Sequence, residues 1–162
     1  MPDHPDHHNA PVVVGSEIET ALAFLDYLRA AVLRKLDGLA EDDARRPLVP
    51  SGTSVLSLVK HLDNVETYWF QRRFAGLEIT RTDDGFALDP GDTVASVRRA
   101  YVETMARSDD IVRRSEGPET PMVLGTHGLT LRWVLAHVVE ETGRHAGHAD
   151  ILRELIDGAT GR

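Results

Sequence analysis

Leu131-Arg-Trp-Val-Leu-Ala-His-Val-Val-Glu-Glu-Thr-Gly-Arg-His-Ala-Gly-His148 carries apolar side chains at Leu131, Val134 and Val138. The same three-or-four spacing then runs through Glu141, His145 and His148 to Leu152 and Leu155. That period belongs to one face of a helix, so the stretch predicts the longest helix of the chain, capped by Thr130 and ended by Gly158. Glu141 and His145 stand one turn apart on the stripe expected to be buried. Burying even a neutral polar group without a partner costs roughly 1–3 kcal/mol, and an isolated charge costs more. A carboxylate and an imidazole placed there are therefore hydrogen-bonded, ion-paired or bound to a metal.

Three further helices follow from the same period. Ser16 caps the first, with Glu17 and Glu19 in its opening turn and Ile18, Leu22, Leu25, Leu28 or Arg29, Val32 and Leu36 facing inward. A polar connection from Ala40 to Gly52 leads to Thr53 or Ser54 as cap of the second, which turns Val55, Leu58, Val59, Leu62, Val65, Trp69 and Phe70 inward and closes at Arg72, Arg73 and Gly76. Leu77 to Gly91 holds Asp83-Asp-Gly85 and Asp89-Pro-Gly91, turn chemistry for an excursion or short hairpin. Asp92 or Thr93 opens the third helix, carried by Val94, Val97, Tyr101, Met105 or Thr104, Ile111 and Val112 and stopped by Gly117-Pro118. Four such helices predict an all-α fold, a four-helix bundle in a single domain over residues 16–158. Residues 1–15, rich in Pro, His and Asp, are expected to be a flexible N-terminal tail, and 159–162 a short C-terminal one.

Composition narrows the chemistry. The 162 residues suffice for one domain with a real core. Without a single cysteine, thiolate ligands, disulfides and a cysteine nucleophile are excluded, so any metal must be held by nitrogen and oxygen. A net charge of −8 disfavours nucleic acid and anionic membrane as partners, because both are bound by neutralising phosphates with Lys and Arg. No run of about 18 uncharged apolar residues and no basic start followed by an apolar core is present, so a cytoplasmic chain is expected.

Glu141 and His145 differ by about 40° in azimuth and 6 Å in height on a helix and can grip one ion together. The third ligand must come from a facing helix. His61, between Leu58 and Leu62 on the edge of the second helix's stripe, is the candidate. Two His and one Glu leave a fourth position open, the catalytic rather than the structural zinc pattern, and nickel or iron fits the same set. The plainer alternative is an intrahelical Glu141–His145 pair beside a packed histidine. His148, one turn beyond His145, is read as a hydrogen-bond partner behind a ligand, and His137 as a structural residue or pocket wall. Glu140 is expected to pair with Arg144 on the flank, His127 to lie in a loop, and Trp69-Phe70 and Trp133 to be core. Protease-type zinc motifs, phosphate loops and the G-x-S-x-G elbow are absent.

Pro50-Ser-Gly-Thr-Ser-Val-Leu-Ser-Leu-Val-Lys-His61-Leu, Val65-Glu-Thr-Tyr-Trp-Phe70 and Leu131 through His145-Ala-Gly-His-Ala-Asp150 together resemble the DinB-like (YfiT-like) superfamily of metalloenzymes, most closely its mini-circle-protein branch. The resemblance spans about Ser16 to Gly158. It implies an up-down-down-up bundle with a metal on one His of the second helix and two residues at i and i+4 of the last, here His61, Glu141 and His145. Relatives more often have His at the first position of that last pair. The mycothiol-dependent maleylpyruvate isomerases have Glu, as here. Several relatives use mycothiol or bacillithiol, so the resemblance implies a metal-dependent thiol S-transferase, a low-molecular-weight thiol as cosubstrate, a small electrophile as substrate and a possible homodimer. A metal-dependent hydrolase and a non-catalytic metal-binding stress-response protein are the alternatives.

Overall fold

The computed structural model describes residues 10–80, 85–125 and 127–160. The histidines at positions 4, 7 and 8, most of the N-terminal tail, the first two residues of Asp83-Asp-Gly85 and the last two residues of the chain lie outside them. Among the described residues the fold is helical, with no strand and one isolated bridge between Pro121 and Thr130. Four long helices dominate: α1 (Glu17–Arg34), α3 (Val55–Glu66) with its π-helical continuation Thr67–Phe74, α4 (Val94–Arg113) and α5 (Leu131–Asp157). A five-residue helix, α2 (Glu41–Arg45), sits in the first connection.

Local chemistry sets the boundaries. Ser16 with Glu19, Ser54 with Ser57 and Thr93 with Ser96 form reciprocal caps that satisfy backbone N–H groups at the starts of α1, α3 and α4. Thr130 occupies the cap position of α5 without a side-chain cap bond, and Gly158 ends α5 in the left-handed conformation, φ 76°.

Paired contacts fix the directions. Glu17 with Arg132, Leu28 beside Gly143 and Lys35 with Asp150 run α1 and α5 parallel. His61 against Glu141 and Trp69 against Trp133 run α3 antiparallel to α5. Lys60 with Asp92 and Glu66 with Tyr101 run α4 parallel to α3. The result is an up-down-down-up bundle.

Arg29, not Leu28, takes the inward position on α1, and Thr104 rather than Met105 does so on α4. Arg29 lies across the core with a bidentate bond to Glu66 (2.8 and 2.6 Å) and further bonds to Asp26 and Asp109 (2.7 and 2.8 Å). The Tyr101 hydroxyl donates to the same Glu66 (3.1 Å). A charge this deep persists because every partner is present.

Two expectations for α5 are corrected. Leu155 is 57% exposed and Trp133 39% exposed, so neither is core. An α-helix has 3.6 residues per turn and its apolar stripe drifts along a long element. The buried face passes from Val138 to Thr142, Ala146 and Ala149, small residues that let α1 approach closely. Glu141 and His145 consequently stand at the edge of that face, turned toward α3.

Candidate metal centre

Nearly every side chain of α3 from Val55 to Leu62 is buried, which makes it the central helix. His61 is held at its α5-facing edge. One residue earlier, Lys60 reaches the opposite way to Asp89 and Asp92 (3.0 and 2.9 Å), and Arg45 donates to the backbone carbonyls of both. These bonds pin the loop leading into α4. The pinned loop lays Phe86 flat on the His61 imidazole, ring centroids 3.9 Å apart at 16°.

Gly85, at φ +95°, makes that approach possible: a Cβ there would meet His61 Nδ1 at 2.8 Å. His61 Nδ1 is buried and has no hydrogen-bond partner among the described residues.

The other imidazole nitrogen faces α5. His61 Nε2 lies 3.4 Å from Glu141 Oε1, and His145 Nε2 lies 3.2 Å from the same oxygen. One ligand atom from each of the three residues falls within 4.8 Å of the others. Ligand atoms of a tetrahedral ion with bonds near 2.1 Å are separated by about 3.4 Å, so two edges of the triangle already have the spacing of a zinc site. The second carboxylate oxygen of Glu141 is engaged by Arg144, which also reaches Glu140 at 3.3 Å, so one oxygen alone faces the histidines.

Protonation favours ligation. Burial, reinforced by the positive Arg144, pushes His61 down to about 4. Burial, with His61, His148 and Arg144 nearby, does the same to His145, also to about 4. Both imidazoles are therefore neutral at pH 7, the form that binds metal. Two neutral imidazole nitrogens and one carboxylate oxygen, with no sulfur donor, are a donor set that fits a divalent transition metal.

The remaining candidates separate. His148 is exposed, with Nδ1 3.3 Å from His145 Nδ1, behind the face that His145 turns to Glu141. His137 joins an aromatic cluster instead: it stacks on Trp133 (5.0 Å, 18°) and meets Trp69 edge-on (4.8 Å). His127 lies in the turn before α5 at φ 63°.

Next to the three residues opens a cavity of about 400 Å³ lined by Val49, Leu58, Phe86, Ile151 and Leu152, with Ser51, Thr53, His145 and His148 on its wall. Sequence reasoning missed Gly85, Phe86 and this cavity. The available signal was a single large apolar residue, Phe86, within a run of turn formers.

The family model for mycothiol-S-transferase matches residues 20–158. The chain belongs to the mycothiol-S-transferase family. Among solved structures, a conserved protein from Enterococcus faecalis is similar at a TM-score of 0.55 and 16% identity, over 90% of this chain and 100% of that one, a likeness of fold. No curated protein matches this chain. Membership of a mycothiol-S-transferase family brings with it a thiol and a small-molecule substrate. Among the described residues no helix is long and apolar enough to cross a membrane.

Proposed function

We propose that the protein is a metal-dependent thiol S-transferase that joins mycothiol, or a thiol of similar type, to small electrophiles in detoxification. The observation that carries this reading is the convergence of His61 Nε2, Glu141 Oε1 and His145 Nε2 beside an open apolar cavity. The family match supports it.

Three protein ligands leave room for an exogenous one. A divalent cation such as zinc, held by His61, Glu141 and His145, would lower the pKa of a bound thiol so that the thiolate is available at neutral pH. The chain's residues do the rest. His61 and His145, held neutral by burial, keep their nitrogens free for the cation. Arg144 occupies one oxygen of Glu141 and leaves the other to the site. Phe86 covers one face of the His61 ring and shields that side of the imidazole from water.

In the reaction the sulfur lone pair forms a carbon–sulfur bond. The displaced electron pair departs on a leaving group or, at an activated double bond, passes to the neighbouring carbon, which takes up one proton for the one the thiol lost. No cysteine in the chain competes as nucleophile or is consumed by the electrophile.

The test is consumption of chlorodinitrobenzene by zinc-loaded protein. Turnover that needs both zinc and mycothiol supports the assignment. Metal-dependent turnover of ester or amide substrates without thiol would make the protein a hydrolase, and a metal-dependent melting temperature with no turnover would make it a binding protein.

A further inference from the structure

Resting on the transferase reading, we infer that the cavity lined by Val49, Leu58, Phe86, Ile151 and Leu152 takes the electrophile rather than the thiol, and that it selects neutral molecules with an apolar body and one hydrogen-bond acceptor. Three observations converge on that occupant. The first is charge: among the described residues no Asp, Glu, Lys or Arg lines the cavity. A charged ligand would exchange its hydration for apolar wall with no counter-ion, at a cost of several kcal/mol.

The second is the polar point at the mouth. The Ser51 and Thr53 hydroxyls hydrogen-bond to each other at 2.9 Å. One hydrogen is used in that bond, and the other hydroxyl hydrogen remains to be donated. A pair so arranged recognises an acceptor such as a carbonyl or nitro oxygen, the kind of group that activates a carbon toward a thiolate.

The third is continuity with the candidate metal centre. Phe86 stacks on His61, and His145 belongs to both the cavity wall and the ligand group, so the cavity and the candidate metal centre share a side chain. About 400 Å³ lies within the range of roughly 300–1,000 Å³ typical of small-ligand pockets. The opposite flank, along α5 toward its N-terminus, presents Glu140 and Arg144, charges that the cavity lacks and that suit a polar thiol better than an apolar molecule.

Ile151, 58% exposed at the rim, offers a substitution that fills the cavity without disturbing the core. The zinc-loaded parent, I151W and A136W are titrated with the neutral dye N-phenylnaphthylamine and with its sulfonated analogue. Ala136 lines the separate groove between α1 and α5, so A136W checks for dye bound there. The expected result is one neutral dye bound per chain, weakened roughly tenfold or more by I151W, unchanged in A136W, and far weaker binding of the sulfonate. In turnover, I151W should raise KM for chlorodinitrobenzene and leave KM for mycothiol unchanged.

A KM shift confined to mycothiol would overturn the assignment of the cavity. So would neutral-dye binding that is indifferent to I151W, or equal binding of both dyes. The dye measurements decide the cavity's preference even if no thiol supports turnover, a result that would remove the transferase reading separately.

Discussion

His61 and His145 direct Nε2 at one and the same oxygen of Glu141, from 3.4 and 3.2 Å, while Arg144 holds the other oxygen. If this convergence is a metal centre, H145A and E141A should each retain less than about a tenth of an equivalent of zinc while keeping the parent's helical circular dichroism, because three protein ligands are the minimum for tight binding. H137A should keep its metal, since His137 lies in the Trp69–Trp133 cluster. Elemental mass spectrometry on purified protein decides it; full metal content in H145A would remove the three-residue centre.

Acid should weaken the metal-free protein through these histidines. Folded His61 and His145 sit at about 4, pushed down first by burial, against an ordinary value near 6.5. Between those values the unfolded chain binds more protons than the folded one, so stability rises with pH across the window. It is fully present above about pH 6.5 and lost as pH falls through 4. The melting temperature of the metal-free parent should therefore drop between pH 6.5 and 4 more steeply than that of H61Q/H145Q. Parallel curves would show that neither imidazole is buried neutral.

The loop that brings Phe86 onto His61 should tune affinity without supplying a ligand. G85A introduces a methyl 2.8 Å from His61 Nδ1 at a backbone φ of +95°. Displacing the imidazole should weaken zinc binding by roughly 10–100-fold, the range seen when groups that orient ligands are altered. F86A removes the stacked ring and should raise the rate at which a chelator extracts zinc. Competition titration with a chromophoric chelator measures both effects, and parent-like affinity in G85A would show that the loop moves aside freely.

The buried network around Glu66 should be costly to break in part. E66A leaves Arg29 buried without its bidentate partner and is expected to destabilise by about 3–5 kcal/mol in urea unfolding. Y101F removes one hydrogen bond and should cost about 1 kcal/mol. Replacing both members, as R29M/E66L, should recover part of the larger loss, because the buried guanidinium is gone while Tyr101 loses its acceptor and Asp109 keeps only Arg113 as an ion-pair partner.

Helix period and caps carried most of the fold. Ser16 does the capping that its position predicted, Ser54 and Thr93 settle the cap pairs Thr53 or Ser54 and Asp92 or Thr93, and Arg29 and Thr104 resolve two alternatives that period left open. The short α2 was not legible, because a five-residue helix gives no period to detect. Trp133 illustrates the reverse failure. Its spacing placed it on an apolar face, but the ring packs only against the rings of Trp69 and His137 among the described aromatic contacts and stays partly in solvent.

For the candidate site, Glu141 and His145 were legible as polar intrusions on an apolar stripe, and His61 as the polar residue on a facing edge. Phe86, Gly85 and the cavity were not, because they depend on where Lys60 and Arg45 anchor a loop some 25 residues downstream of His61, a tertiary fact with no local periodic signature.

Glu141 and His61 are 80 residues apart in the chain, and a cation gripping both would act as a removable staple between α3 and α5. Cross-linking so long a segment confines the unfolded ensemble in the way a disulfide does, and the two helices cannot part until the ion leaves. The native lifetime would then be tied to the ion's off-rate, so resistance to proteolysis should follow the supply of the cation.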